Sequence, residues 1–149
     1  MFTEPLTGWR HVQATQRRTK TDWAYQIREL LDGRYAGVPK VLLVVDNLNT
    51  HSPGSLYEAF PPVAARRLAE RLEIHYTPKH GSWLNIAENE LSALQLQCLS
   101  RRIATLAELQ QEVAAWERAR NRDHVRVNWR FTIDRAREKL RRVYPQIQS

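Results

Sequence analysis

A chain of 149 residues that is 42% hydrophobic and 26% charged holds enough apolar material for one domain with its own core, which excludes disorder. No run approaches the ~18 apolar residues a membrane helix needs, and residues 1–10 lack a basic-then-apolar leader, so an intracellular protein without a membrane partner is expected. The single cysteine, Cys98, excludes an internal disulfide or a multi-cysteine zinc cluster and reads as a packed helix thiol. The net charge of +7 is concentrated: Arg118 to Arg142 carries ten Lys or Arg against Asp123, Asp134 and Glu138, which accounts for all of it. A neutral body with a basic carboxyl-terminal segment points to a polyanionic partner, since Lys and Arg displace counterions from phosphates without reading sequence.

In chain order, Met1 to Thr15 reads as the end of one strand, a turn over Pro5 to Gly8, and a second strand. In that second strand Trp9, His11 and Gln13 alternate with Arg10, Val12 and Ala14. From Thr21 or Asp22 as a cap, Trp23, Ile27, Leu30 and Leu31 recur at helical spacing until Gly33, Gly37 and Pro39 end the helix. Val41 to Val45 is uniformly apolar and mostly β-branched, the pattern of a central strand covered on both faces. Asp46 follows at once, then Asn47, Asn49, Thr50 and His51, so an acid and a polar loop are delivered to the carboxyl end of the strand, where α/β sheets bind ligands. The same residues also suit a plain strand-terminating turn.

After Pro53-Gly54 and Pro61-Pro62, a helix carrying Val63, Leu68 and Leu72 leads to a short strand from Ile74 to Thr77, and Pro78 to Trp83 is a loop. Ile86, Ala87, Leu91, Leu94 and Cys98 mark a helix to about Arg101. Thr105 and Glu108 form a capping box for the next, whose Leu106, Leu109, Val113 and Trp116 share one face. Residues 121–130 are basic and weakly periodic. From Thr132 a last helix is expected to bury Ile133, Ala136, Leu140 and Val143, with Arg135, Lys139 and Arg142 grouped on another face for phosphate contact. Residues 1–103 thus form a sheet-containing core and 104–149 a helical basic part, an α/β plan.

Chemistry gathers where strands end. Asp46, and Glu88 with Glu90 early in the helix after the short strand from Ile74 to Thr77, are oxygen donors of the kind hard cations such as Mg²⁺ or Mn²⁺ prefer, and two such ions can assist a phosphodiester displacement. At ~100° per residue Glu88 and Glu90 flank the apolar face of their helix on opposite sides, so periodicity leaves either as the second acid. His51, His75 and His80 match no zinc-ligand spacing.

VVDNLNTH followed by HYTPKHGSWLNIAENEL resembles the second and third acidic motifs of mariner-like bacterial insertion-sequence transposases. EPLTGWRHV, LYEAFPP, AAWERARN and WRFTIDRAREKLRRVYP extend that likeness over nearly the whole chain. The resemblance implies an α/β, RNase H-like DDE catalytic domain lacking its first strand and most of its second. It assigns Asp46 as the second catalytic acid and Glu88, in LNIAEN, as the third, holding Mg²⁺ or Mn²⁺ with no small-molecule cofactor, and acting on DNA near the bacterial nucleoid. Lys79 and His80, just before the helix of Glu88, are placed for contact with the DNA backbone, though the same residues also suit a plain exposed loop. Ile86-Ala87 replaces the Pro-Ile of relatives, and no aspartate before Asp46 fits the first acid. The chain is therefore expected to be inactive alone, either as the carboxyl-terminal part of a transposase or as an inactive remnant that binds nucleic acid. Its apolar strand edge at Val41 to Val45 would favour self-association.

Overall fold

The structure is a computed structural model that describes residues 1–78, 85–128 and 132–143, with no side chains described at 139, 140, 142 and 143. It is a mixed α/β fold with two small sheets and, among the described residues, six helices. The first sheet is the expected hairpin, β1 (Phe2–Glu4) antiparallel to β2 (Trp9–His11), with Phe2 opposite His11 and Glu4 opposite Trp9. Its turn closes through the Gly8 N–H, which donates to Glu4 O at 3.0 Å. Gly8 has φ +75°, and a Cβ there would sit 2.7 Å from the His124 backbone, so both conformation and close approach require glycine.

Helix α1 (Lys20–Asp32) starts one turn earlier than its sequence suggests. Thr19, not Thr21 or Asp22, is the cap: its hydroxyl accepts from Asp22 N–H while the Asp22 carboxylate accepts from Thr19 N–H, a reciprocal capping box. The buried face of α1, with Trp23, Ile27 and Leu31, meets α2 (Pro53–Ala59) at Leu56 and α3 (Pro62–Glu70) at Ala65 and Leu68. Full burial of Ile27, Leu31, Leu56 and Leu68 contributes about 1.5–3 kcal/mol each. Val63 is exposed rather than packed. Leu72 belongs not to the helix but to the next strand, because the chain leaves α3 at Arg71.

The second sheet joins β3 (Val41–Val45) in parallel to β4 (Leu72–Tyr76), Val41 beside Leu72 and Val45 beside Tyr76, with α2 and α3 as the crossover. Here the expectation of a central strand covered on both faces fails. Among the described residues β3 pairs only with β4, and although Val41, Leu43 and Ile74 face the helical core, Leu42 is 61% and Val44 49% exposed. The reason is geometric: α1, α2 and α3 gather on one side of the pair, so the alternate residues have no layer over them.

The remaining helices are α4 (Ile86–Gln97), α5 (Leu106–Arg122) and α6 (Ile133–Val143). Of the capping box expected at α5 one half is present, Thr105 Oγ accepting from Glu108 N–H, while the Glu108 carboxylate accepts instead from Ala104 N–H at 3.1 Å; Val113 and Trp116 are buried with Leu94 of α4 in a second core that Met1, Val12, Cys98 and Leu109 border. Burial raises the thiol of Cys98 above its ordinary value. Ile133, expected inside, is 72% exposed, since no other described element packs against α6. The corresponding expectations for Leu140 and Val143 lie outside the described side chains.

Helix α5 finishes the hairpin. Asn121 accepts from Arg10 N–H at 2.9 Å and donates to Arg10 O at 2.8 Å, Glu117 accepts from Val12 N–H at 2.6 Å, and Gln110 donates to Ala14 O at 2.9 Å. Three polar side chains on one stripe of a helix thereby satisfy the backbone groups that β2 and its continuation turn away from β1. This edge, at least, is covered.

Candidate active site

Asp46 is the first residue beyond β3, half-exposed, and its Oδ1 lies 2.5 Å from Nδ1 of His51. The loop between them is tied down at several points. His51 N–H donates to Leu48 O at 3.0 Å, its ring lies tilted over Trp23 of α1 with centroids 5.8 Å apart, and Tyr76 of β4 donates its hydroxyl hydrogen to His51 O at 2.9 Å. Asn47 donates its amide to Thr77 O. Thr77 N–H in turn donates to Val45 O at 2.9 Å, so the two parallel strands are laced together just where they end. Ser55 Oγ donates to Thr50 O at 2.8 Å, anchoring the loop to α2. The acid stands on a rigid platform rather than in a loose turn.

The Thr50 and Thr77 hydroxyls at this end of the strands are buried without a hydrogen-bond partner among the described residues. Nearby, burial pulls the Met1 amino group below its ordinary value against the opposing pull of Asp46, which places the start of β1 within electrostatic reach of the acid. At its other end β1 is held by Glu4, which accepts from Tyr35 at 2.6 Å and pairs with Arg34 at 2.6 Å, beside the entry to β3. That contact and burial together push the Tyr35 hydroxyl up to about 12.

Helix α4 brings the other candidate acids. Asn85 caps it, its side chain accepting from Ala87 N–H at 3.1 Å, and Glu88 falls in the first turn, half-exposed, with no ion pair among the described residues. Glu90 is different. It is only 3% exposed and lies between two guanidiniums: Arg10 Nε at 2.8 Å from Oε2, and Arg120 Nη2 at 3.0 Å from Oε1. The two glutamates that periodicity left equivalent are thus separated, one committed to buried cations and one left to solvent. Leu91, expected on the buried face of α4, is 47% exposed, the place beside Leu94 being taken by Glu90.

Arg10, the most deeply buried cation, was missed as a functional residue. The signal was there: it shares a side of the strand with Val12 and Ala14, small apolar residues that a packed side accepts, whereas Trp9, His11 and Gln13 lie on the other side. Of the other histidines, His75 is exposed and pairs with Glu73 at 2.8 Å, and no group of three or more His, Cys, Asp or Glu placed to share an ion occurs among the described residues. Lys79 and His80 lie outside the described residues. Arg135 is exposed on α6, whose first turn Thr132 caps by accepting from Arg135 N–H at 3.3 Å, while the side chains of Lys139 and Arg142 lie outside the description. Arg120, counted in the basic segment, points inward to Glu90.

Asp46 and Glu88 offer hard oxygen donors, and Asp46 Oδ2 carries no hydrogen bond among the described residues, so the donor chemistry fits Mg²⁺ or Mn²⁺, which take one or two carboxylates from protein and complete their shell with water and phosphate. No helix among the described residues is long and apolar enough to cross a membrane. Residues 1–110 match the model of a family described as DDE superfamily endonuclease. Searches among curated proteins and among solved structures return no match.

Proposed function

The chain belongs to the DDE superfamily endonucleases, and from that premise we propose that it is the carboxyl-terminal part of a transposase catalytic domain of the mariner-like bacterial insertion-sequence kind, working on DNA at the nucleoid. The observation that carries this reading is the standing of Asp46 immediately beyond the parallel pair, on a loop locked by His51, Asn47 and Tyr76, inside the matched span that also contains Glu88. In this reading Asp46 and Glu88 are two of three catalytic acids, and the third stands on an RNase H-like first strand that would pair with β3.

When bound, Mg²⁺ or Mn²⁺ supplies charge neutralisation at the phosphodiester and a more acidic water. The chain's own residues hold the acids. His51 fixes Oδ1 of Asp46 and leaves Oδ2 for the ion, while Asn85 sets the first turn of α4 from which Glu88 projects. Water is the attacking group at the end of the element, and the freed 3′-hydroxyl is the attacking group at the target. Exposed cations of residues 118–142, Arg135 among them, and Lys79 and His80 hold the phosphate backbone.

The test uses supercoiled plasmid. The chain as it stands should not nick it, whereas the chain extended before Met1 by an Asp-bearing strand encoded upstream should nick it with Mg²⁺ or Mn²⁺, and Asp46→Asn or Glu88→Gln should abolish the cut. Nicking by the present chain that survives Asp46→Asn would overturn the reading. An extended chain that binds DNA but never cuts would leave a nucleic-acid-binding remnant as the better description.

A further inference from the structure

We propose that Arg10 and Arg120 act through Glu90 as positioning residues for Glu88, setting the rotation of α4 about its own axis; this rests on the reading of Glu88 as a metal-holding acid. Apolar burial does not set that rotation. Leu91 and Leu96 are exposed, and of the side chains on α4 only Leu94 and Glu90 are buried. A helix with a single buried leucine turns easily, and the second fixed point is a carboxylate.

That carboxylate is gripped from two elements that are themselves fixed. Arg10 is fully buried in β2, its backbone held on both sides by Asn121 and its Nη2 donating to Val125 O at 2.5 Å. Its Nε lies close enough to Glu90 for an ion pair but off the hydrogen-bond direction, and Nη1 has no partner among the described residues, so Glu90 is the carboxylate in direct contact with it, with Glu117 acting at longer range. Arg120 reaches Glu90 Oε1 and Oε2 at 3.0 and 3.3 Å, stacks over Trp116 with its guanidinium carbon 5.1 Å from the ring centroid, and shares Gln97 Oε1 with the Trp116 N–H. Two residues along a helix are ~200° apart, so a clamp that pins Glu90 inward directs Glu88 outward. A buried carboxylate between two cations has no alternative position of comparable energy.

The experiment measures Mn²⁺ affinity of the full 149-residue chain by the electron-paramagnetic signal of the free ion, with tryptophan near-ultraviolet circular dichroism to confirm folding. Glu88→Gln reports on the acid itself and should weaken binding at least about tenfold. Glu90→Gln should weaken it by a similar factor although its side chain faces away from the ion. Arg120→Lys keeps every charge but loses the fork by which Nη2 holds Glu90 while Nη1 holds Gln97, so a loss of about threefold in a folded protein isolates geometry from electrostatics and from global stability. Should Glu90→Gln fail to fold, Arg120→Lys decides. Binding lost in Glu88→Gln but unchanged in folded Arg120→Lys and Glu90→Gln overturns the clamp and leaves the acid assignment standing. Binding unchanged in Glu88→Gln overturns both.

Discussion

The side-chain amide of Asn121 pairs with both backbone groups of Arg10, its oxygen accepting at 2.9 Å and its nitrogen donating at 2.8 Å, as a neighbouring strand would. An amide is the only side chain that both donates and accepts in this fork, so the position should be intolerant. Asn121→Ala should cost about 1–3 kcal/mol for each backbone group left unpaired, read as a lower urea midpoint with an unchanged slope. Asn121→Asp should recover only the bond from Arg10 N–H. Equal midpoints for wild type and Asn121→Ala would show that this pairing contributes nothing.

Stability should also depend on pH through the neighbouring contact. The Glu117 carboxylate, 3.5 Å from His11 Nδ1, raises His11 above its ordinary 6.5 against the effect of burial. Burial pushes Glu117 up, but hydrogen bonds from His11 and from Val12 N–H outweigh it and hold the carboxyl below 4.5. A raised histidine stabilises fully below its unfolded value and loses that contribution as pH rises through the folded one; a lowered carboxyl stabilises above its unfolded value and loses that as pH falls. The pair therefore contributes most between pH 4.5 and 6.5. Thermal midpoints of wild type should fall on going above that window, and His11→Gln should flatten the fall. Parallel profiles for the two proteins would exclude the coupling.

Amide exchange should divide β3 by parity. Val41 N–H donates to Arg71 O and Thr77 N–H donates to Val45 O, so in a parallel ladder Val41, Leu43 and Val45 face β4 while the N–H groups of Leu42 and Val44 face the open side. On a dilute monomer the first three should exchange slowly and the other two fast. Protection of all five, or protection of Leu42 and Val44 that grows with protein concentration, would reveal a covered edge; the second result would identify another copy as the cover.

Duplex DNA binding should be nonspecific and steeply salt-dependent. Alanine at Arg135, Lys139 and Arg142 together should reduce the magnitude of the log-log salt slope by up to about 2.7 if each contacts a phosphate. Arg120→Ala should instead act on stability, because that cation is committed to Glu90. An unchanged slope in the triple variant would place the DNA contacts elsewhere.

What could be read from the chain alone followed local rules. The hairpin, the N-cap at Thr105 and the strand at Val41 are each decided by neighbours a few residues away, and all three are present, although Glu108 closes on Ala104 N–H rather than back on Thr105. The start of α1 was misplaced by one turn because Thr19-x-x-Asp22 and Thr21-Asp22 both look like caps, and only the reciprocal bonds distinguish them. The covering of β3 was misjudged because an apolar run says what a strand tolerates, not what layer is present above Leu42 and Val44. Asp46 was conspicuous as an acid at a strand end. Its partner His51 was visible only as a loop histidine, since a contact over five residues depends on a turn that sequence does not specify. Glu88 and Glu90 are alike by periodicity. What separates them are Arg10 and Arg120, brought together by tertiary packing.

The way α5 closes the hairpin has a consequence for biosynthesis. The residues that complete β2 are Gln110, Glu117 and Asn121, at sequence separations of 96, 105 and 111 from their partners, whereas among the described residues the core around α1 draws on nothing later than Ile74. A ribosome adding about 5–20 residues per second exposes the first 74 residues several seconds before α5 emerges. The helical core can form in that interval. The hairpin precedes that core in the chain, yet the edge of β2 stays uncovered until α5 has been made.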